Sequence, residues 1–169
     1  MRNLCSIKIL LLLTLLTFPL VSFSFDDIHL QKLKSLNQCK ECDLRSAVLT
    51  NANLIGVNLT EAKLSGADLT EADLTEAVLS NADLSGAFLE KATLTEANLS
   101  GAFLEKTTLT EANLIGANLS GAVLKNANLK NANLTDADLT DAKMRDANID
   151  GAILCRTKMP WGEENGGCE

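Results

Sequence analysis

Two cysteines separated by two positions, Cys39 and Cys42, are the residues of this 169-residue chain best suited to chemistry. This C-x-x-C spacing occurs in redox dithiols, in metal sites and in structural disulfides. A redox pair needs an accessible thiol whose surroundings favour the thiolate, but the repeat described below directs both cysteines inward. A structural disulfide is therefore favoured, with buried free thiols and a redox or metal function as the alternatives.

Other candidates for catalysis are few. His29 is the single histidine, and the chain has no nucleophile elbow, no phosphate-binding loop and no metal-ligand spacing beyond the cysteine pairs. A lone histidine in such a segment is more often a surface residue than a ligand or a base. We predict that the protein is not an enzyme and has no catalytic, cofactor-binding or metal site.

Residues 1–24 have the layout of a secretory signal peptide. Two basic residues precede an uncharged segment from Ile9 to Val21, and Ser22-Phe23-Ser24 places small residues at the −3 and −1 positions of a cleavage site. The uncharged segment is shorter than the roughly 20 residues that span a bilayer. We predict cleavage before Phe25, followed by export to the periplasm, or to the thylakoid lumen if the source is photosynthetic, without membrane attachment.

Cleavage would change the formal net charge from −7 to −9, because it removes two basic residues and no acidic one. A negative protein repels phosphate groups, so neither nucleic acid nor an anionic membrane is the predicted partner. The remaining cysteines are even in number and cluster near the two ends of the folded region, which suits an oxidising compartment: Cys39, Cys42, Cys155 and Cys168.

From Cys42 to Trp161 the chain divides without a gap into 24 units of five residues. The first position is Ala in 20 units and the third is Leu in 21. A helix would spread these leucines around its surface, and a straight strand would alternate them between two faces. Both difficulties disappear if the chain turns a corner after each unit, so that first and third positions face inward together. Asp, Asn, Ser and Gly, which suit tight corners, are frequent at the other positions.

This unit resembles A(D/N)LXX, the repeat of the pentapeptide-repeat family, over nearly three-quarters of the chain. The resemblance implies an all-β fold, a right-handed quadrilateral parallel β-helix with four units per coil. About six coils would form a rod of roughly 29 Å. Side chains 20 positions apart would then stack, and no two second-position carboxylates have that spacing, as in the series Asp43, Lys63, Asp83. This also argues against a calcium-binding ladder.

The resemblance divides the chain into residues 25–41, 42–161 and 162–169. The first segment is predicted to contain a short capping helix over residues 26–36 that covers the open end of the solenoid formed by the second. The third is a Gly-rich tail. The apolar stripe of the helix consists of Phe25, Leu30, Leu33 and Leu36.

The implied rod length also sets the cysteine pairing. Its two ends lie much farther apart than the limit of about 7 Å between bridged Cα atoms. That leaves Cys39–Cys42 and Cys155–Cys168, and the second bond would fasten the tail across the last coil. The terminal segments NQCKECDL and ILCRTKMPWGEENGGCE resemble the ends of exported, cyanobacterial-type members of the family.

Two functions fit this description. One is a structural or protein-interaction module whose partner and oligomeric state are unknown. The alternative is an acidic DNA mimic that acts on a type II topoisomerase, as some cytoplasmic members of the family do. Outward charges on the four sides sum to about +2, −3, −3 and −2, whereas duplex DNA of the same length carries about 17 negative charges. The low charge density and the predicted export favour the interaction module.

Phe88, Phe103 and Val123 occupy second positions that are Asp or Asn in 13 of the 24 units. Phe103 and Val123 should stack on one side, and Phe88 should lie on the adjoining side. They are our candidate docking or dimer edge, with tolerated surface residues as the alternative. Residues 85–99 recur almost unchanged as 100–114, and this shift moves each copied residue to another side. A binding site confined to one side would be disrupted by this shift, so the site lies elsewhere, for example at an end, or forms around the copied edge.

Overall fold

The computed structural model describes His29, Lys32, Leu33 and residues 37–168. The predicted signal peptide and most of the predicted capping helix, residues 26–36, lie outside the described residues. His29, Lys32 and Leu33 have helical backbone conformation. In the described part of the chain, no helix is long and apolar enough to cross a membrane.

Parallel bridges join second-position residues that lie 20 positions apart, from Gln38–Asn58 to Asp138–Lys158. They form four ladders, which we number 1 to 4 and which begin within the repeats at Asp43, Val48, Asn53 and Asn58. Each ladder is one side of a four-sided solenoid, because four consecutive units pass before the chain returns to the same ladder.

The core follows the first and third positions. Third-position leucines from Leu44 to Leu139 and first-position alanines from Ala62 to Ala142 are buried. Hydrogen bonds between coils are regular; the Leu99 N–H, for example, donates to the Asn118 carbonyl over 2.7 Å. Because each apolar row runs along the solenoid axis, small side chains without aromatics fill the interior.

The corners depend on two local devices. Fifth-position residues from Ser46 to Arg156 have a positive φ, such as 58° at Lys106 and 65° at Gly101, and Gly, Asn and Asp adopt this left-handed conformation most readily. The side-chain Oδ1 of all 13 second-position Asp and Asn residues accepts a hydrogen bond from the N–H of the fourth residue. These residues therefore fasten the corner as well as facing water.

Two first-position threonines replace alanine in the core. Thr107 and Thr157 are fully buried, and their hydroxyls donate to the Leu84 and Leu134 carbonyls over 2.8 Å. A hydroxyl is tolerated here because a backbone carbonyl lies within reach.

Thr107→Val should lower the free energy of unfolding by about 1 kcal/mol, since it removes this hydrogen bond while keeping the side-chain shape. Valine fits a first position, as the buried Val57 shows. Urea unfolding should give a smaller change for Thr108→Val, on the outside of ladder 2. Equal losses for the two variants would mean that the buried bond contributes nothing.

At the N-terminal end of the solenoid, the described residues His29 and Leu33 contact the repeats. Leu33 is buried against the core, and the Asp43 N–H donates to Nδ1 of His29 over 3.0 Å. In later coils the second-position N–H donates to a carbonyl of the preceding coil, as Lys63 does to Cys42. Nδ1 of His29 thus takes the place of the carbonyl oxygen that a preceding coil would supply. His29 is half-buried, whereas the sequence suggested a surface residue.

The tail covers part of the C-terminal end. β1 (Thr157–Met159) pairs antiparallel with β2 (Gly162–Glu164), and the Leu154 N–H donates to the Gly166 carbonyl over 2.8 Å. Both contacts lie at the ends of ladders 3 and 4, where a further coil would otherwise stack. The tail therefore closes this half of the last coil.

Candidate functional site

The cysteines lie at the two ends of the solenoid, away from its sides. The sulfur atoms of Cys39 and Cys42 are 2.06 Å apart, and those of Cys155 and Cys168 are 2.01 Å apart, which are disulfide distances. Cys39 and Cys42 are buried, so neither presents a reactive thiol. Within residues 37–168 and the three residues described before them, no cluster of His, Cys, Asp or Glu is arranged to hold a metal ion.

The candidate edge brings together the three residues chosen from the sequence. Phe103 and Val123 are bridge partners in ladder 1, and Phe88 lies in ladder 2 between Asp68 and Thr108. Phe88 is 49% exposed and Phe103 is 47% exposed, whereas Val123 is half-buried. Two aromatic rings on adjoining sides are thus accessible, in a chain with only five Phe and one Trp.

A shallow groove follows the corner at which the chain passes from ladder 1 to ladder 2. Its volume is about 380 Å³, and its charged lining consists of Glu105, Lys106 and Lys125. The rest of its wall is formed by Ser85, Gly86 and Asn126. Phe103 precedes Glu105 by two residues and Phe88 follows Gly86 by two residues, so the candidate edge borders the groove. We call the groove and these apolar residues the groove corner.

The groove corner also lacks the fastening oxygen that 13 of the 24 units have, as nine other units do, for example those of Lys63 and Val78. Since Phe103 and Val123 cannot accept a hydrogen bond, the N–H groups of Glu105 and Lys125 have no partner among the described residues. Lys143 follows Val123 in ladder 1 and also lacks an acceptor oxygen, so Phe103, Val123 and Lys143 form the longest run of such residues in any ladder. On ladder 2, Phe88 leaves the Glu90 N–H without a partner among the described residues. In the 13 units with an Asp or Asn at the second position, the bonded oxygen belongs to an outward side chain, so the corresponding N–H groups of Glu105 and Lys125 face the outer surface.

The five-residue repeat of the described residues matches a known protein family. Eight copies of the family model of pentapeptide repeats match the chain, and together they span residues 38–159. The chain belongs to the pentapeptide-repeat family. Members of this family fold as right-handed quadrilateral β-helices and act as protein-interaction modules.

Solved pentapeptide-repeat structures resemble this chain over most of its length. Rfr23 from the cyanobacterium Cyanothece 51142 is 33% identical, with 74% of this chain and 92% of that chain covered and a TM-score of 0.47. HetL from Nostoc sp. strain PCC 7120, involved in heterocyst differentiation regulation, is 29% identical, with 74% and 73% covered and a TM-score of 0.40. No curated protein matches the chain.

A third similar structure is a pentapeptide-repeat protein of the Arabidopsis thaliana thylakoid lumen, 29% identical, with a TM-score of 0.31. The match covers 57% of this chain and 60% of the Arabidopsis chain.

Sequence reasoning identified the apolar edge but missed the groove and its N–H groups. A signal for them was present, because Asp or Asn two residues before a polar corner residue is a known local hydrogen-bonding pattern. Its loss at Phe103 and Val123 shows that this corner has no internal acceptor in two successive coils, although the pattern is also lost in nine other units.

Proposed function

We propose that this pentapeptide-repeat protein is an exported, non-catalytic interaction module and that the groove corner is its docking site. The observation that carries this proposal is the exposure of Phe88 and Phe103 on adjoining ladders beside a groove. Exposed apolar clusters with a polar surround are typical of protein contacts. The partner is a protein, and the solenoid is the rigid support that presents the edge.

Export of the protein rests on the layout of residues 1–24 and on the cysteine geometry. Disulfides persist in oxidising compartments, so the proposed location is the periplasm, or the thylakoid lumen of a photosynthetic source. In the mature protein, about six coils over residues 42–161 follow a capping helix over residues 26–36, and residues 162–169 form the tail. Both cysteine pairs are oxidised there.

The DNA-mimic alternative requires an acidic rod, but ladder 1 and its corner carry four lysines with no ion-pair partner among the described residues: Lys63, Lys106, Lys125 and Lys143. A phosphate-like surface should not place such cations together. The interaction module accommodates them.

The experiment compares tagged mature wild-type protein with Phe88→Ser/Phe103→Ser as bait in an extracytoplasmic extract of the source cells. The matched control is Val48→Ser/Ile55→Ser, which removes two other exposed apolar side chains. The expected result is a partner retained by wild type and control and lost by the edge variant. If the edge variant keeps every partner and the same oligomeric state, the groove corner is not the docking site.

A further inference from the structure

We propose that the segment bound at the groove corner is an extended, acidic stretch of a protein that also carries large apolar side chains. This inference rests on the proposed docking role of the corner and adds the chemistry of the occupant. Its apolar side chains would contact Phe88, Phe103 and Val123, and its carboxylates would lie along the groove.

The first support is a comparison within the duplicated segment. Lys91 and Lys106 are copies of one another, but they lie on different corners. Lys91 has Glu111 one coil away, at 4.0 Å. Lys106 has Asn126 at the corresponding place, and Lys125 lies beside it in the groove lining. The duplication therefore placed a carboxylate one coil away from Lys91 but an amide at the corresponding place beside Lys106.

The second support is the pair of N–H groups at Glu105 and Lys125. In 13 other units a carboxylate or amide oxygen of the second residue accepts this hydrogen bond, as Asp83 does from Ser85. A carboxylate from a bound segment can supply the same oxygen in two successive coils. Hydrogen bonds from N–H to an ionised carboxylate are among the stronger ones.

Charge balance agrees with this assignment. The groove lining contains one carboxylate, Glu105, against the two ammonium groups of Lys106 and Lys125. Lys143 lies next to Val123 in ladder 1, while Arg145 is paired with Asp146 at 3.5 Å. The corner thus attracts negative charge in a protein whose formal net charge is −7. That net charge disfavours an extended anionic membrane as the occupant.

The test selects binders from a displayed library of random peptides of about 12 residues, which reach up to ~40 Å when extended. Selected peptides should be rich in Asp and Glu interspersed with large apolar residues. Their affinity should fall at least about tenfold in Lys106→Glu/Lys125→Glu. Both changes should preserve folding, because Glu occupies the same unit positions at Glu90 and Glu111. The control Lys91→Glu/Lys130→Glu makes the same change in net charge on the next corner and should bind normally.

Val123→Asn is a second variant. It restores the oxygen that other units use for the fourth-position N–H, so it should weaken the selected peptides without lowering the melting temperature. Unchanged affinity would show that the Lys125 N–H is not used.

Other outcomes separate this inference from the proposed function. Selected peptides that need Phe88 and Phe103 but are neutral or basic, or that tolerate Lys106→Glu/Lys125→Glu, would overturn the acidic occupant and leave the docking site in place. A library without any Phe-dependent binder would overturn both. Binding to phosphatidylglycerol vesicles as strong as binding to the peptides would make a lipid surface the occupant of the groove corner. A wild-type dimer that is lost in Lys106→Glu/Lys125→Glu would make a second copy of the chain the occupant.

Discussion

Leu99→Asp is expected to prevent folding of the solenoid, whereas Asn98→Asp should leave it nearly unchanged. Leu99 is 1% exposed in the middle of the rod, and none of the described core residues is a cation that could pair with a carboxylate. A buried unpaired charge costs several kcal/mol, a large fraction of the stability of a domain this size. Because each coil contacts only its neighbours, a break here separates the two halves.

Asn98 lies one position away but faces outward. Its Oδ1 accepts the Ser100 N–H, and an Asp carboxylate can do the same. Its bridge partners are Val78 and Asn118, so no carboxylate stacks against the new one. Circular dichroism and thermal melts measure the contrast. Similar melting temperatures for the two variants would show that the inward and outward positions are misassigned.

Removal of the Cys155–Cys168 bond is expected to have the second-largest effect. The bond closes a loop with a sequence separation of 13, for which the chain-entropy estimate is about 3 kcal/mol. The loss should be local, since the tail covers only the end of the last coil through β2 and the Gly166 carbonyl. Cys155→Ala/Cys168→Ala should therefore loosen the C-terminal coil first.

Hydrogen exchange followed by mass spectrometry measures this effect. Amides in residues 144–168 should exchange faster in the variant, while those in residues 44–139 keep their protection. Cys39→Ala/Cys42→Ala is the matched control, because its sequence separation is only 3 and the entropic contribution is smaller. Unchanged exchange after loss of the Cys155–Cys168 bond would mean that strand pairing alone holds the tail.

The five-residue register, together with the four units per coil that the family resemblance implies, predicts which residues share a side. It places Phe103 beside Val123 and Phe88 on the next side, as the bridges do, because the repeat has no insertion that would shift later units. The pairs Cys39–Cys42 and Cys155–Cys168 follow from the implied rod length, because cysteines at opposite ends of the rod are too far apart to bond. These features depend on periodicity, which a sequence displays directly.

Features that depend on a specific neighbour were not predicted. His29 accepts a hydrogen bond from the Asp43 N–H, and no periodic pattern predicts that contact because His29 lies outside the repeats. Thr107 is an exception to the first-position Ala pattern. The pattern does not predict that its hydroxyl donates to the Leu84 carbonyl, 23 positions earlier in the chain. The groove likewise arises from residues in three successive coils, which spacing alone does not reveal as a cavity.

Export of a mature chain with oxidised cysteines is the property on which the proposed function depends most. Source cells are fractionated, free thiols are blocked with N-ethylmaleimide, and the intact mass of the protein is measured in each fraction. The account predicts a chain that begins at Phe25, lies in the extracytoplasmic fraction and carries no adduct on Cys39, Cys42, Cys155 or Cys168. A cytoplasmic chain that retains residues 1–24 and carries adducts on these cysteines would contradict it and favour the DNA-mimic alternative.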